Sequence, residues 1–535
     1  MRLFPGAVVS LCASLASASA AVQGSCASNT NTDISSRNAL SWLESKLSSN
    51  AVISCRGAPL QLYNAGRYWG EQYGKNASVV VFPVTTQDVS YAVQAAAQAP
   101  CFSDFAFVGG AHGQTNASSA YGFIVDLRWL NSTQILHNVT VSDTKIPTAI
   151  AYEGGATWTG VNNVTSGSGY CAVGARVGNV GVGGFSTGGG IGFLAGAYGY
   201  AVDRLRAVEV VLMSGLIVTA TKTNQHSDLF FALQGGGGQF GIVTKFYQEA
   251  APEPTISQLT IWNVADTSLV EAKQNTVQWF DTNDDPFSLV YYANSFGPLN
   301  ITSGPLGILT SLIGVRFGDP TNPNQKSFDE RFAPLINGLE LSSNASYAYP
   351  YTDLVEVLDS SFPYGYRRGF WGPQTTNITV DYLSQNSGEY DSYIAAQLER
   401  GDIPVSAVWA VQYMFPGLDG NLPTSDSATA WPHTVAGHQT LFSPAWNNAT
   451  DDSFVTGVND VFNNITRSHQ KAQGPVIADY PNYISPDDTG SEVWGSNVPR
   501  LIDIKAKYDP LCRIHNGRVF ATAACIRGGW ANIYP

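Results

Sequence analysis

The glycines of this chain are gathered into three runs: Gly109-Gly110-Ala111-His112-Gly113, the stretch from Gly178 to Gly192, and Gly235 to Gly238. Glycine loses more backbone freedom on folding than any other residue, so a run of it makes a poor helix or strand interior. Such a run has a use where the backbone must approach a ligand closely, or where successive N–H groups must converge on one anion. The first run follows the apolar segment Phe105-Ala-Phe-Val108, and the third lies between a helical segment and the strand-like Ile242-Val-Thr-Lys-Phe-Tyr247. The pattern predicts regular elements carrying bare loops that close around something.

The first half alternates strands and helices, an α+β pattern. Residues 78–82, 105–108, 123–127, 148–152 and 240–247 read as strands, and 208–213 with 216–220 as a hairpin about Ser214-Gly215. Residues 87–98 read as a helix, with Thr85 and Asp88 in capping-box positions. A second helix begins near Thr157 and a third spans 228–234. Pro252 and Pro254 break the pattern, and from about 255 to 470 the composition shifts toward aromatics and Asn, Asp and Pro loops. Phe454, Val455, Val458, Val461, Phe462 and Ile465 mark an amphipathic helix. The last 65 residues return to short strands, with a helix near 499–508.

Charged residues make up 13% of the chain, about half the usual ~25%, against 44% hydrophobic residues, which excludes a disordered chain. The net charge of −13 argues against a nucleic-acid binder, which needs a basic footprint, and against an anchor on an anionic membrane. Arg2, an apolar stretch over 4–15 and Ala18-Ser19-Ala20 read as a secretory signal spanning 1–20, with no later run of 18 apolar residues to span a membrane. Asn-x-Ser/Thr triplets at Asn76, Asn116, Asn131, Asn138, Asn163, Asn300, Asn344, Asn377, Asn448 and Asn464 point to a secreted, N-glycosylated protein. Losing the signal removes Cys12 and leaves six cysteines, an even count that predicts disulfides. No Cys-x-x-Cys pair occurs, and His433 and His438 lie five apart, so no metal site is expected.

His112 sits inside the first run, among residues with no bulk to pack against it, so it is a candidate functional group. Two motif matches in the second run lack their context. Gly184-Phe-Ser186-Thr-Gly188 fits the nucleophile elbow of a serine hydrolase, but that motif follows a buried strand and this one follows glycines. Gly190-Ile-Gly192-Phe-Leu-Ala195, with Glu209 downstream, fits a dinucleotide fingerprint that also needs a strand leading in.

The order of motifs is more specific than any one of them. Gly-Gly-x-His is followed by the Gly181-to-Gly190 run, by Asp203 after Gly199-Tyr-Ala-Val, and by Gly-Gly-Gly-Gly-x-Phe-Gly-Ile-Val. Tyr480-Pro-Asn482-Tyr483, Trp494-Gly-Ser-Asn497, Arg500-Leu501 and Lys507-Tyr508-Asp509-Pro510 follow. Together these resemble the flavin-binding domain of the vanillyl-alcohol oxidase superfamily, in particular its berberine-bridge-enzyme-like oxidases of fungal type. The similarity covers roughly 60–250 and 475–515.

The resemblance implies a two-part FAD-binding domain of the PCMH type, over 21–252 (the PCMH-type part about 74–252) and again over 471–535. An α/β substrate domain over 253–470 would carry an antiparallel sheet covering the flavin. It implies FAD bonded covalently through its 8α-methyl to His112, a bond that withdraws electrons from the ring and raises its potential. Val108, Gly109, Gly110, Ala111, Gly113, Gln114, Gly181, Gly183, Gly184, Gly188, Gly189 and Gly190 would hold the pyrophosphate and ring. Gly238, Ile242 and Val243 would contact the adenosine side. Bicovalent members carry a second cysteine tether where this chain has Val177, and Cys171 lies six residues earlier, so a single tether is expected. Val180 falls at the position that gates oxygen. Tyr480 and Asn482 would lie on one face of a strand and Tyr483 on the other, with Tyr480 or Tyr483 the catalytic base. Cys101 would pair with Cys55, or with Cys26. The implied activity is that of a monomeric oxidase passing hydride from a C–H beside O or N of a small molecule to FAD, then to dioxygen as hydrogen peroxide. Its substrate would be a secondary metabolite, with oxidative cyclisation included, or alternatively a carbohydrate. A flavin-binding protein without catalysis and a Ser186 hydrolase are the rival readings.

Overall fold

The computed structural model of the chain describes residues 21–23, 34–297, 307–322, 324–361, 364–401, 406–474, 476–529 and 533–534. The signal segment 1–20, Cys26 and Asn300 lie outside the described residues.

Three sheets carry the molecule. The first orders its strands Ala21–Gln23, Val52–Cys55, Val79–Phe82, Phe123–Asp126 and Phe105–Val108. Its last three strands are parallel and buried at every residue but Phe107, as expected of strands covered on both faces. The helix Thr86–Gln98 covers it, and its capping box forms in both directions. Thr85 Oγ1 accepts the Asp88 N–H at 3.1 Å, and Asp88 Oδ2 accepts the Thr85 N–H at 3.0 Å. The second sheet is antiparallel throughout, in the order Ile217–Thr221, Leu205–Val211, Ile242–Glu249, Thr144–Glu153 and Thr133–Val141.

The third sheet has eight strands, from Leu341–Tyr349 at one edge through Ser257–Val264, Leu309–Phe317, Ser288–Phe296, Ser406–Gln412 and His438–Trp446. Helices Leu269–Thr282, Val380–Glu399 and Asp452–Gln473 pack on one face through Trp279, Tyr390, Trp409 and Phe462. Each such aromatic is worth roughly 1.5–3 kcal/mol by burial alone. The other face is turned toward the first part of the molecule: Tyr291, on Ser288–Phe296, reaches Arg176.

The C-terminal segment returns to the first part. Lys505, on helix Val498–Tyr508, is fully buried and donates to Asp509 Oδ2 at 2.7 Å, to Gln239 O at 2.7 Å and to Ile514 O at 2.8 Å. All three ammonium protons are thus satisfied, the condition under which a buried ion pair is tolerated.

Two expectations fail here. Tyr480–Tyr483 is no strand: Pro481–Tyr483 form a one-turn 3₁₀ helix, because Pro481 has no N–H for a ladder and its fixed φ suits a first helical position. Cys101 is a free thiol beside Ser36 Oγ, so it does not pair with Cys55, which is itself disulfide-bonded. Cys512 and Cys525 form a disulfide across 13 residues.

Candidate active site

The loop after strand Phe105–Val108 turns at Ala111, whose φ of 59° is left-handed, and crosses the second glycine run. A Cβ on Gly110 would stand 2.2 Å from Gly181 N, and one on Gly181 2.2 Å from Gly110 N, so no side chain fits at the crossing. The Trp69 N–H holds Ala111 O at 3.0 Å. Arg67 holds Gly109 O while paired with Asp126 at 3.0 Å. The third run closes on helix Val182–Thr187, where the N–H groups of Gly235 and Gly237 both reach Thr187 O, at 2.9 and 3.0 Å.

The three runs enclose a cavity of about 370 Å³, within the range of cofactor sites. Gly109 through Gln114, Val177, Val180, Gly181, Gly183, Gly184, Gly188, Gly238, Val243, Tyr480, Asn482 and Tyr483 line it. Val108, Gly189, Gly190 and Ile242 do not. Val108 and Ile242 point into packed strand cores, Gly189 abuts Trp431, and Gly190 abuts Ala201 and Phe185.

His112 is held on two sides. Its ring stacks on Trp69 with centroids 5.4 Å apart and planes at 15°, and its Nε2 lies 2.8 Å from the Tyr364 hydroxyl. Burial, then the cations Arg67 and Arg368, push its pKa down to about 3, so the imidazole is neutral at any physiological pH. Arg368 lies over the ring of Trp69 at 4.9 Å.

The two tyrosines of the 3₁₀ turn differ. The hydroxyl oxygen of Tyr480 accepts from Gly190 N (3.1 Å), Ile191 N (2.9 Å) and Asn482 Nδ2 (2.9 Å). That oxygen is committed to structure, and burial raises its pKa. Tyr483 packs edge-on against Phe370 and receives a hydrogen bond from Arg176 Nη2. Arg176 Nη1 donates to Tyr291 OH at 3.3 Å. Burial raises the pKa of Tyr483 while Arg176 opposes the rise. Burial works against the charge of Arg176, but the surrounding tyrosines Tyr291, Tyr483 and Tyr480 hold its pKa above the ordinary value.

Sequence reasoning missed Trp69, Arg176 and Phe370 on the walls, and Asn516, Arg518 and Tyr534 from the C-terminal segment. Arg176 had a visible signal, a lone cation between Gly174 and Gly178; the others had none. Cys171 does not line the cavity; its Sγ faces Pro252 O at 3.4 Å. Ser186 is fully buried, with its Oγ 3.1 Å from Tyr152 OH. Among the described residues no cluster of His, Cys, Asp and Glu is placed to hold a metal, and no helix is long and apolar enough to cross a membrane.

The walls fit a dinucleotide bearing a flat ring. Gly113, Gly184 and Gly237 face open space, where a Cβ would meet nothing within 4 Å. Trp69, Phe107, Phe370 and Trp494 add apolar faces, and Arg518 brings a cation.

Comparison with known proteins agrees. An FAD binding domain model matches residues 77–221, and a model described as berberine and berberine like matches 479–512. The chain is 32% identical over 462 residues to FAD-dependent monooxygenase drtC of Aspergillus calidoustus, covering 84% of each. It is 32% identical over 307 residues to FAD-dependent monooxygenase sdcF of Emericella nidulans, covering 56% of this chain and 59% of that protein. The solved glucooligosaccharide oxidase of Acremonium strictum shares the fold, with a TM-score of 0.68 at 17% identity over 90% of this chain and 98% of that one.

Proposed function

Because the chain belongs to the berberine-bridge-enzyme-like family of FAD-linked oxidoreductases, we propose that it is an oxidase with its flavin tethered once, to His112, and with Tyr483 as its base. When bound, FAD accepts a hydride from a substrate C–H and passes the electron pair to dioxygen, released as hydrogen peroxide. The glycine backbones hold the pyrophosphate, and Trp69 and Phe370 flank the ring and keep water out. Tyr483 takes the proton of the neighbouring substrate O–H or N–H. A tyrosine has to be acidified from ~10 to serve near neutral pH, and Arg176 stabilises its phenolate. Tyr480, with its oxygen already occupied, is a positioning residue. The observation that carries this reading is the Arg176–Tyr483 pair standing on the same cavity as His112.

Val177 supports a single tether, since valine cannot form a thioether and Cys171 points elsewhere. The substrate we propose is a small secondary metabolite, cyclised oxidatively where its chemistry allows; an oligosaccharide is the alternative. Acid precipitation with peptide mapping tests the tether: flavin is expected on the His112 peptide alone, and flavin wholly in the supernatant defeats the claim. Turnover under ¹⁸O₂ tests the reaction. Stoichiometric peroxide with no label in the product is expected; label in the product would make the enzyme a monooxygenase instead.

We also propose secretion with N-glycosylation. Among the described residues, eight sequon asparagines are exposed and Asn377 is half-buried. In the neighbouring pairs Asn162/Asn163 and Asn463/Asn464, the buried member lacks the sequon and the exposed one carries it. A mass loss on endoglycosidase treatment of the protein from its native host is expected.

A further inference from the structure

The segment 364–371 belongs to the substrate-covering part of the chain, yet it is fastened to the Glu71–Tyr73 turn, next to Trp69, whose N–H holds the histidine loop at Ala111 O. Tyr366 O accepts the Glu71 N–H at 2.9 Å. Gln72 bonds Arg368 at both ends, its Nε2 to Arg368 O at 2.6 Å and its Oε1 from Arg368 N at 3.1 Å. This fastening brings Tyr364 edge-on to His112, with ring centroids 5.6 Å apart and planes at 86°. The contact crosses 252 residues of sequence and ends on one nitrogen, Nε2.

We propose that Tyr364 is a positioning residue for flavin attachment: its phenol oxygen accepts the Nε2–H of His112, which fixes the imidazole tautomer and leaves the Nδ1 lone pair free to attack. The hydrogen bond made by one ring nitrogen decides the protonation of the other. Trp69 stacked on its face and Tyr364 at Nε2 together hold the ring in this orientation. A free imidazole interconverts its tautomers, and only the one with a bare nitrogen toward the methyl carbon is productive. Neutrality is secured separately, by burial and by Arg67 and Arg368, which outweigh a hydrogen bond with the Asn179 side chain that favours the charged ring.

The bond-making balances as follows. Oxidised FAD and His112 combine by forming Nδ1–C between the imidazole and the 8α carbon. The hydrogens displaced from the methyl and from the imidazole, together with an electron pair, pass to the isoalloxazine, which is thereby reduced. Dioxygen then takes two electrons and two protons, leaves as hydrogen peroxide, and restores oxidised, tethered flavin. The imidazole proton makes that passage indirectly: Nε2–H releases it through Tyr364 to solvent as Nδ1 gains its carbon, and solvent returns one proton to the isoalloxazine.

This role rests on the His112 tether proposed above, and the test separates the two. Apoprotein from a riboflavin-starved host is mixed with FAD, and non-covalent binding (flavin fluorescence) is followed beside covalent incorporation (acid-precipitable flavin). Tyr364→Phe keeps the ring and removes only the oxygen. It is expected to bind FAD with an affinity within threefold of the native protein but to attach it at least tenfold more slowly. His112→Ala serves as the reference that binds without attaching. Attachment in Tyr364→Phe at the native rate overturns the proposal. So does a Tyr364→Phe that fails to bind FAD where His112→Ala binds it, since the tyrosine then acts on binding. Native protein that releases all its flavin overturns the tether, and this role with it.

Discussion

The cavity has a floor made of backbone and a roof made of side chains, and the two are built by different rules. On the floor, Gly110 and Gly181 meet with their N and Cα atoms where a Cβ would have to be. On the roof, Tyr483, Arg176, Tyr291 and Phe370 come from four separate segments and meet through hydrogen bonds and ring contacts. A floor of this kind tolerates almost no substitution but serves any flavin. A roof of this kind can be rewritten residue by residue without disturbing the floor. The division teaches where a cofactor is specified and where a reaction is.

The largest effect expected lies on the floor. Gly110→Val places a side chain against backbone that cannot yield, costing about 3 kcal/mol or more, so no folded holoprotein should be recovered. Gly184→Val, whose Cβ meets nothing within 4 Å, should instead melt like the native apoprotein while failing to take up FAD. If both variants fail to fold, the floor is a packing device and the comparison breaks. On the roof, Tyr483→Phe should lower kcat by about 10²–10⁴ with the flavin spectrum intact. Tyr480→Phe should cost about 1–3 kcal/mol of stability, since it strands three donors. An equal kcat loss in the two, with no difference in melting, would erase the distinction drawn between them.

Arg176→Gln sharpens the same contrast through pH. Burial raises the pKa of Tyr483, Arg176 opposes that rise, and the base we propose must be ionised to work. Removing the cation should therefore move the acidic limb of kcat/KM upward. A separate, pH-dependent effect concerns Asp479, just before the 3₁₀ turn. Burial, with Asp488 adding to it, raises its pKa from 3.8 to about 7, despite Arg467 at 2.7 Å. The folded state then holds a proton between about pH 4 and 7 that the unfolded state has lost. Stability from this group is full below about 4 and falls as pH rises toward 7, by at most about 1.4 kcal/mol per pH unit. Asp479→Asn should flatten the difference between urea midpoints measured at pH 5 and pH 8.

The floor was legible in the sequence because glycine is a local signal. Three runs of bare residues announced three close approaches, and a histidine among them had no packing reason to be there. Thr85 and Asp88 announced a helix start for the same reason: capping is decided within four residues. Tyr480–Tyr483 misled because the strand came with the resemblance and Pro481 was not given its weight. Cys101 misled because resembling a family disulfide position does not bring a partner within reach. Trp69, Tyr364, Phe370 and Tyr534 could not be read at all. Each is an ordinary aromatic in a chain with many, and its role exists only once distant segments meet.

That dependence on distant segments has a consequence for biosynthesis. Gly110 and Gly181 meet across about seventy residues, and Asn516, Arg518 and Tyr534 close the same space from the far end of the chain. Long loops must be closed at an entropic cost before such contacts give anything back. A chain still emerging from the ribosome, or one cut short before residue 512, lacks the part of the wall that Asn516, Arg518 and Tyr534 supply. The yellow colour is therefore among the last properties this protein acquires.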